Sequence, residues 1–353
     1  MSERIELKLD WTREQVRQLA ANGEVSILQF AAAQEVPPSL LEILNEDIFR
    51  HRPDITWRMY GSYARVCDLS YLRLMPHVER LSLDCLTRVS NAHAVEALPK
   101  LKEFVFDVYE ADSLDVLNAV PTDLQRLRIG KTKTKKTDLF GLERFSHLRQ
   151  LVVAGHTRGL EVIGKLSTLN EVSLMGVPLS NLVFLRHLPH LHTLQLGFGS
   201  AQNLDTLAGL NALRHLALLR IKDFSDLSVV SQQETLQRLT AQDQPHLASL
   251  PSLAALNDLE LIVLNNVGLK DLRWVASAPA LESLAMFQMP TLVHGDIQSL
   301  LRQPGPLRRL MVGLKSAREH KLARQAIEES GLWDDGGWRM VAVTSRPLAL
   351  SSH

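Results

Sequence analysis

Two cysteines, Cys67 and Cys85, among 353 residues are too few for a disulfide framework and fit a reducing compartment. Neither sign of charge predominates, since lysine plus arginine and aspartate plus glutamate number 39 each. The chain thus has no net field to draw it to nucleic acid or to an anionic membrane surface. No run approaches the ~18 apolar residues that span a bilayer. The opening Met-Ser-Glu-Arg-Ile-Glu-Leu lacks the apolar stretch of a signal peptide, and Asn-x-Ser/Thr occurs nowhere. A glycosylated ectodomain is therefore not expected; a cytoplasmic setting is. Gly-x-Ser-x-Gly and His-Glu-x-x-His are also missing.

What the chain has in abundance is a template, apolar-x-x-apolar-x-apolar. It reads Val78-Leu81-Leu83, Leu101-Phe104-Phe106, Leu124-Leu127-Ile129, Leu148-Leu151-Val153, Leu169-Val172-Leu174 and Leu191-Leu194-Leu196. It continues as Leu213-Leu216-Leu218, Leu236-Leu239-Ala241, Leu259-Ile262-Leu264, Leu281-Leu284-Met286 and Leu307-Leu310-Val312. The first positions step by 23, 23, 24, 21, 22, 22, 23, 23, 22 and 26. No unit of that length buries its own apolar face, so the units must stack and share one core. After each strand, leucines return at a spacing of three, as in Leu182, Leu185 and Leu188, Leu204, Leu207 and Leu210, and Leu247, Leu250, Leu253 and Leu256. Spacing of three is the repeat of a 3₁₀ helix, whose i and i+3 side chains share a face. The expected fold is an α/β solenoid, a leucine-rich-repeat horseshoe with a parallel concave β-sheet and short 3₁₀ or helical convex segments.

Both ends depart from the template, as the end units of a solenoid must if its core is to be closed. Residues 1–54 are expected to form an N-terminal helical cap. Within it Thr12-x-x-Gln15 opens a helix ending near Asn22-Gly23, Val25-Leu28-Phe30 matches a strand, and a second helix runs from Ser39 to Arg50. Residues 55–314 hold the repeats. Ile55 stands 23 residues before Val78 and predicts a strand over 55–60, with Arg58 where an apolar residue belongs. Residues 315–353 form the C-terminal cap and tail. There a helix over Ser316–Ser330 carries Leu322, Ala323, Ala326 and Ile327 at helical spacing, Gly331 stops it, and Trp338, Val341 and Val343 make a last strand.

The strand motif with its trailing leucines resembles the 22-residue leucine-rich repeats of the internalin type and of cytosolic phosphatase-regulating repeat proteins. The resemblance covers residues 55–314 and implies the fold; it carries no activity. In that family an asparagine three residues after the strand's last apolar position bonds neighbouring backbone as a ladder. Here those positions hold Leu86, Tyr109, Thr132, His156, Val177, Gly199, Ile221, Gln244, Val267, Met289 and Lys315. The expected solenoid is accordingly less regular, its turns held by packing or by other backbone bonds. Bacterial effector ubiquitin ligases carry such repeats ahead of a catalytic cysteine domain, and that activity is not carried over.

The remaining motifs yield to the repeat pattern. Gly159 to Lys165 fits a phosphate loop until Leu166 replaces the magnesium-holding Ser/Thr, and Leu160, Ile163 and Leu166 are the unit's own core triplet. His190 and His192 flank core Leu191 and should diverge, and with His187 they lack a carboxylate or cysteine to complete a metal set. Lys131, Lys133, Lys135 and Lys136 form the one local charge cluster, read as a solvated connection. No catalytic residue, cofactor or metal is expected.

Strand alternation points every second residue away from the core. In the N-terminal half these are Arg80, Ser82, Asp84, Glu103, Val105, Asp107, Arg126 and Arg128, a charged mixture. Further on they are Met175, Leu219, Leu261, Val263, Phe287 and Met311, among Glu171, Gln195, His215, Arg238, Gln242, Asn265 and Arg309. Apolar residues in an outward column lack a folding reason and mark a partner site with a polar rim. Strands about 4.8 Å apart, rising about 3.3 Å per residue, give a face on the order of 1,200 Å², against ~800 Å² per partner in a standard interface. The expectation is a non-enzymatic module that binds a protein, rather than nucleic acid, membrane or a small substrate. Its forms would be an immunity or inhibitor protein that neutralises a toxin or enzyme, a scaffold or regulatory subunit, or a nucleotide-dependent protein acting through Lys165.

Overall fold

A computed structural model describes residues 3–32, 34–61, 66–134 and 136–332. They divide into two compact units, one running to Leu169 and one starting at Asn170. The first holds seven parallel strands that pair in chain order: Glu3–Glu6, Val25–Ala31, Thr56–Tyr60, Arg80–Leu86, Glu103–Val108, Arg126–Ile129 and Gln150–Ala154. The second holds seven more: Glu171–Met175, Thr193–Gly197, His215–Leu219, Arg238–Gln244, Leu261–Val267, Ser283–Met289 and Arg309–Leu314. The template residues meet across the strands. Leu194, Leu216, Leu239, Ile262, Leu284 and Leu310 stand in one register row, each 2 % exposed or less. Each burial contributes about 1.5–3 kcal/mol.

Parallel strands need a crossover, and here it is the expected 3₁₀ turn. Such segments include Ser70–Leu74, Phe140–Arg144 and Leu160–Lys165 in the first unit, and Val183–His187, Ser228–Gln232 and Arg273–Ser277 in the second. Most open on a side-chain turn that the leucine pattern does not announce. Asp68, Asp138, Asn181, Asn203, Asp226 and Asp271 each accept, through Oδ1, the N–H two residues on, at 2.8–3.4 Å. Each stands ten residues before the next strand's first apolar residue. The Asx turn pre-forms the bend that starts the 3₁₀ segment. Leu247, Leu250, Leu253 and Leu256 are buried as their spacing requires, but on irregular backbone. The 26-residue step from Leu281 to Leu307 is long because an α-helix, His294–Arg302, replaces the 3₁₀ turn.

Most positions where the family keeps its asparagine are buried, although Tyr109 and Lys315 are exposed. Leu86, Val177, Ile221, Val267 and Met289 fill the position with apolar side chains. Where it is polar and buried, the side chain returns to backbone: His156 Nε2 donates to the Gly130 carbonyl at 2.9 Å, and Gln244 Nε2 to that of Gln242 at 3.1 Å. Successive turns stack so closely that a Cβ on Gly268 would stand 2.1 Å from the Pro245 carbonyl oxygen.

At the N-terminus the capping box of Thr12 and Gln15 forms and the helix Arg13–Ala21 ends at Asn22. The strand Glu3–Glu6 was not expected; it extends the sheet beside Val25–Ala31. The second helix is Pro38–Leu44 followed by a π turn, Asn45–Phe49, where buried Asn45 accepts the His77 N–H at 3.0 Å. The strand expected over 55–60 is Thr56–Tyr60, but its register is one residue off. Trp57 pairs with Leu81 and Met59 with Leu83, so Arg58 falls on the open face opposite Ser82. At the other end the helix Ala317–Ser330 is capped by the Ser316 hydroxyl and closed by Gly331 at φ 76. It buries Ala323 and Ile327 but leaves Leu322 38 % exposed. The strand expected around Trp338, Val341 and Val343 lies outside the described residues.

Two predictions follow from these turns. Gly268→Ala overpacks the stack and should cost about 1–3 kcal/mol, read as a lower urea midpoint at unchanged slope. Gly23→Ala, where a Cβ meets nothing within 4 Å, should leave the midpoint in place. For His156, burial holds the imidazole below its ordinary range, partly opposed by the hydrogen bond to Gly130. The folded state therefore favours the neutral ring. Its contribution is complete above the ordinary value of about 6.5 and is withdrawn as pH falls below it. The unfolding midpoint should drop from pH 7 to pH 5, and His156→Gln should flatten that slope.

Candidate binding surface

In the second unit the residues that alternate with the core leucines form three columns on the open face of the sheet. One holds His215, Arg238, Leu261, Ser283 and Arg309. The middle one holds Gln195, Ala217, Thr240, Val263, Ala285 and Met311. The third holds Met175, Gly197, Leu219, Gln242, Asn265 and Phe287. Of the thirteen residues that alternation points outward here, twelve stand in these columns and Glu171 continues the first through Thr193, with Arg238 and Arg309 exposed and most of the others half-buried.

Met175 is the exception at 4 % exposed. A Cβ on the neighbouring Gly197 would lie 2.7 Å from Met175 Sδ and 3.2 Å from Leu219 Cβ. The glycine lets these two side chains close over its strand, so Met175 supports Leu219 and offers little surface itself. Beyond them the relief is uneven. Ser283 and Ala285 are small and buried, while Leu261 and Val263 stand on one side and Arg309 and Met311 on the other. With strands about 4.8 Å apart, Leu261 and Val263 stand roughly 10 Å from Arg309 and Met311 across these two small residues, with Phe287 further along the middle strand. His215 lies near this face; burial, then the charges of Arg238, His192 and Arg214, hold its imidazole below the ordinary range.

A ladder of strained residues borders the third column. The seventh residue after each strand's first apolar position adopts the left-handed conformation at Phe198, Arg220, Asp243, Asn266 and Gln288, φ 45–56, and at Gly176. Glycine takes this conformation freely; other residues pay about 1 kcal/mol or more. Here the side chains bond from turn to turn. Arg220 lies over the Phe198 ring at 5.8 Å and meets Asp243 at 3.0 Å, and Asn266 donates to Asp243 at 2.8 Å. Burial pushes the Asp243 carboxyl up, and the Asn266 and Arg220 hydrogen bonds outweigh it, holding it below the usual carboxylate range. Leucine periodicity is blind to this rim. The signal in the sequence was a polar or glycine residue recurring seven positions after the first apolar one, at Gly176, Arg220, Asp243, Asn266 and Gln288, with Phe198 the exception.

The open face of the first unit is charged, as expected, but its charges are matched to one another. Arg58 bonds Asp84 and Gln29, and its guanidinium lies 5.0 Å from the Tyr60 ring centre. Glu103 is bridged by Arg80, at 2.8 Å, and by Arg126, and Arg128 meets Asp107 at 3.5 Å. Asp84, Cys85 and Asp107 bring ligand atoms within 4.8 Å of one another, but Arg58 and Arg128 already supply the balancing charge. Lys165 pairs with Glu143 at 3.0 Å on its 3₁₀ turn while Leu166 is buried. His187 and His190 are exposed, and His192 turns to the Thr193 hydroxyl at 3.1 Å. In the lysine cluster Lys133 pairs with Glu110 at 3.2 Å, and Lys135 lies outside the described residues.

No family model and no curated protein matches the sequence. Solved structures do. An internalin from Listeria monocytogenes aligns with 92 % of this chain and 88 % of its own, at TM-score 0.50 and 15 % identity. Mouse RP105, in its complex with MD-1, aligns with 88 % of this chain and 59 % of its own, at 0.54 and 15 %. Drosophila Toll, in its complex with Spatzle, aligns with 88 % of this chain and 49 % of its own, at 0.55 and 14 %. The repeat in the sequence and the likeness in structure agree, and the chain has the leucine-rich-repeat fold.

Proposed function

We propose that this is a non-enzymatic protein-binding module whose partner seats on the open face of the second unit. The observation that carries the reading is the run of outward apolar residues on three successive strands, Leu261 and Val263, then Phe287, then Met311, with small Ser283 and Ala285 among them. Apolar surface desolvates at little cost, and a patch of this kind receives an anchoring side chain from a partner. Arg238 and Arg309 supply an exposed polar margin. Two proteins of similar fold, RP105 and Toll, are seen bound to the proteins MD-1 and Spatzle. The module acts by occupying its partner, as an immunity or inhibitor protein does. We place it in the cytoplasm: two cysteines make no disulfide framework, and burial, then the charge of Asp68, push the Cys67 thiol up to about 11.

Phe287→Arg and Leu261→Arg put charge into this surface without touching the core column. In an affinity capture from the source lysate, read by mass spectrometry, one stoichiometric protein should bind wild type and be lost with either variant. Its measured affinity should fall roughly 30-fold or more, the scale of an interface hot spot, with the unfolding midpoint unchanged. A partner held equally by both variants, or no specific partner, overturns the reading. Unfolding of Phe287→Arg would show that Phe287 belongs to the core.

A further inference from the structure

The first unit contains a second, smaller sheet whose outer edge is incomplete. Val66–Asp68 and Arg88–Ser90 pair in parallel, with Cys67 opposite Val89. Leu69 N–H donates to the Ser90 carbonyl at 3.1 Å. Alternate residues of a parallel strand bond to a given neighbour, so this bond sets the parity. Arg88 and Ser90 face Val66–Asp68, while Val89 turns its N–H and C=O the other way.

On that other side the next turn of chain follows only as far as Thr87, whose carbonyl accepts the Glu110 N–H at 2.9 Å. It then bends away, Ala111 N–H donating to the Val108 carbonyl at 3.3 Å. No third strand pairs with this sheet, and no backbone hydrogen bond reaches Val89 from that side among the described residues. A cavity of about 870 Å³, lined in part by Val89, opens beside the bend. Buried Phe106, Val108 and Val116 give it an apolar lining. Its charged residues are of both signs, so charge does not select an occupant. The unsatisfied backbone does, because an outward N–H and C=O on a strand edge are complementary to another extended chain.

We propose that an extended segment of another polypeptide docks in this cavity as a third strand beside Arg88–Ser90. Its backbone exchanges hydrogen bonds with Val89 N–H and C=O, and one apolar side chain rests on Phe106, Val108 and Val116. This site lies within the first unit and does not depend on the surface of the second.

Hydrogen exchange of the full chain, resolved at the Val89 amide, tests it with a positional-scanning set of acetylated, amidated octapeptides as the probe. Without peptide, Val89 should exchange far faster than Ser90; peptides with one apolar residue among small ones should slow it by about tenfold or more. Val89→Pro removes only an outward N–H, which an edge strand tolerates, so it should fold normally and show no peptide binding by isothermal titration. Asp112→Trp, an exposed change in the cavity lining, should block binding while leaving Val89 fast. The proposal is overturned if Val89 is already protected without peptide, or if Val89→Pro unfolds the protein. It is overturned equally if peptides leave Val89 exchange unchanged, a result that would not touch the open-face reading.

Discussion

A leucine in one of these short units is buried only because the units before and after bury theirs against it. The row from Leu194 to Leu310 has no solvent contact to speak of, yet no two adjacent strands would exclude water from it alone. Register is therefore held tightly, since a slip of one residue would turn the whole row out to solvent. Thr56–Tyr60 obeys the same constraint: Trp57 and Met59 take the core positions, and Arg58 is placed outward whatever the spacing to Ile55 suggests. With the core confined to one side, the opposite face is released from any duty in folding.

Stacking also sets the conditions at the ends of each strand. Turns that approach as closely as Gly268 and Pro245 leave no room for unpaired polar groups, which are costly when buried. The chain meets this with three devices in place of the family's single asparagine. Apolar residues such as Ile221 and Val267 fill the inner position, Asx turns bond the outer start of the 3₁₀ segments, and left-handed residues tie the rim together. The last device is strained, and two repeats relieve it with Gly155 and Gly176. Repeats that keep Phe198, Arg220, Asp243 and Asn266 accept that strain and recover part of it through the bonds between them.

The repeat, the sheet and the tight turns were legible because hydrophobic spacing encodes them directly: a spacing of two places a residue in or out of a strand, and a spacing of three repeats the 3₁₀ turn. Where no leucine marked the event, the reading stopped. Glu3–Glu6 is four residues of mixed charge whose strand state comes entirely from its neighbour. The π turn at Asn45 depends on His77, 32 residues away, and the α-helix at His294 is hinted at only by a longer step. For the open face, alternation named the right columns but not their relief. Met175 reads as exposed until Gly197 is seen to bring Leu219 over it.

The same alternation yields two different surfaces, and desolvation separates them. On the first unit a partner would have to strip water from Arg80, Glu103, Arg126 and their neighbours, charges already matched to one another across the strands. Removing such groups from water costs several kcal/mol per ion unless the incoming surface replaces every contact. The apolar run on the second unit asks for less. Leu261, Val263, Phe287 and Met311 offer apolar surface around small Ser283 and Ala285, and exposed Arg238 and Arg309 at one end of these strands would orient a partner. A surface that gives up water at little cost is the one on which association would be favoured, and the proposed site lies where the outward columns turn apolar.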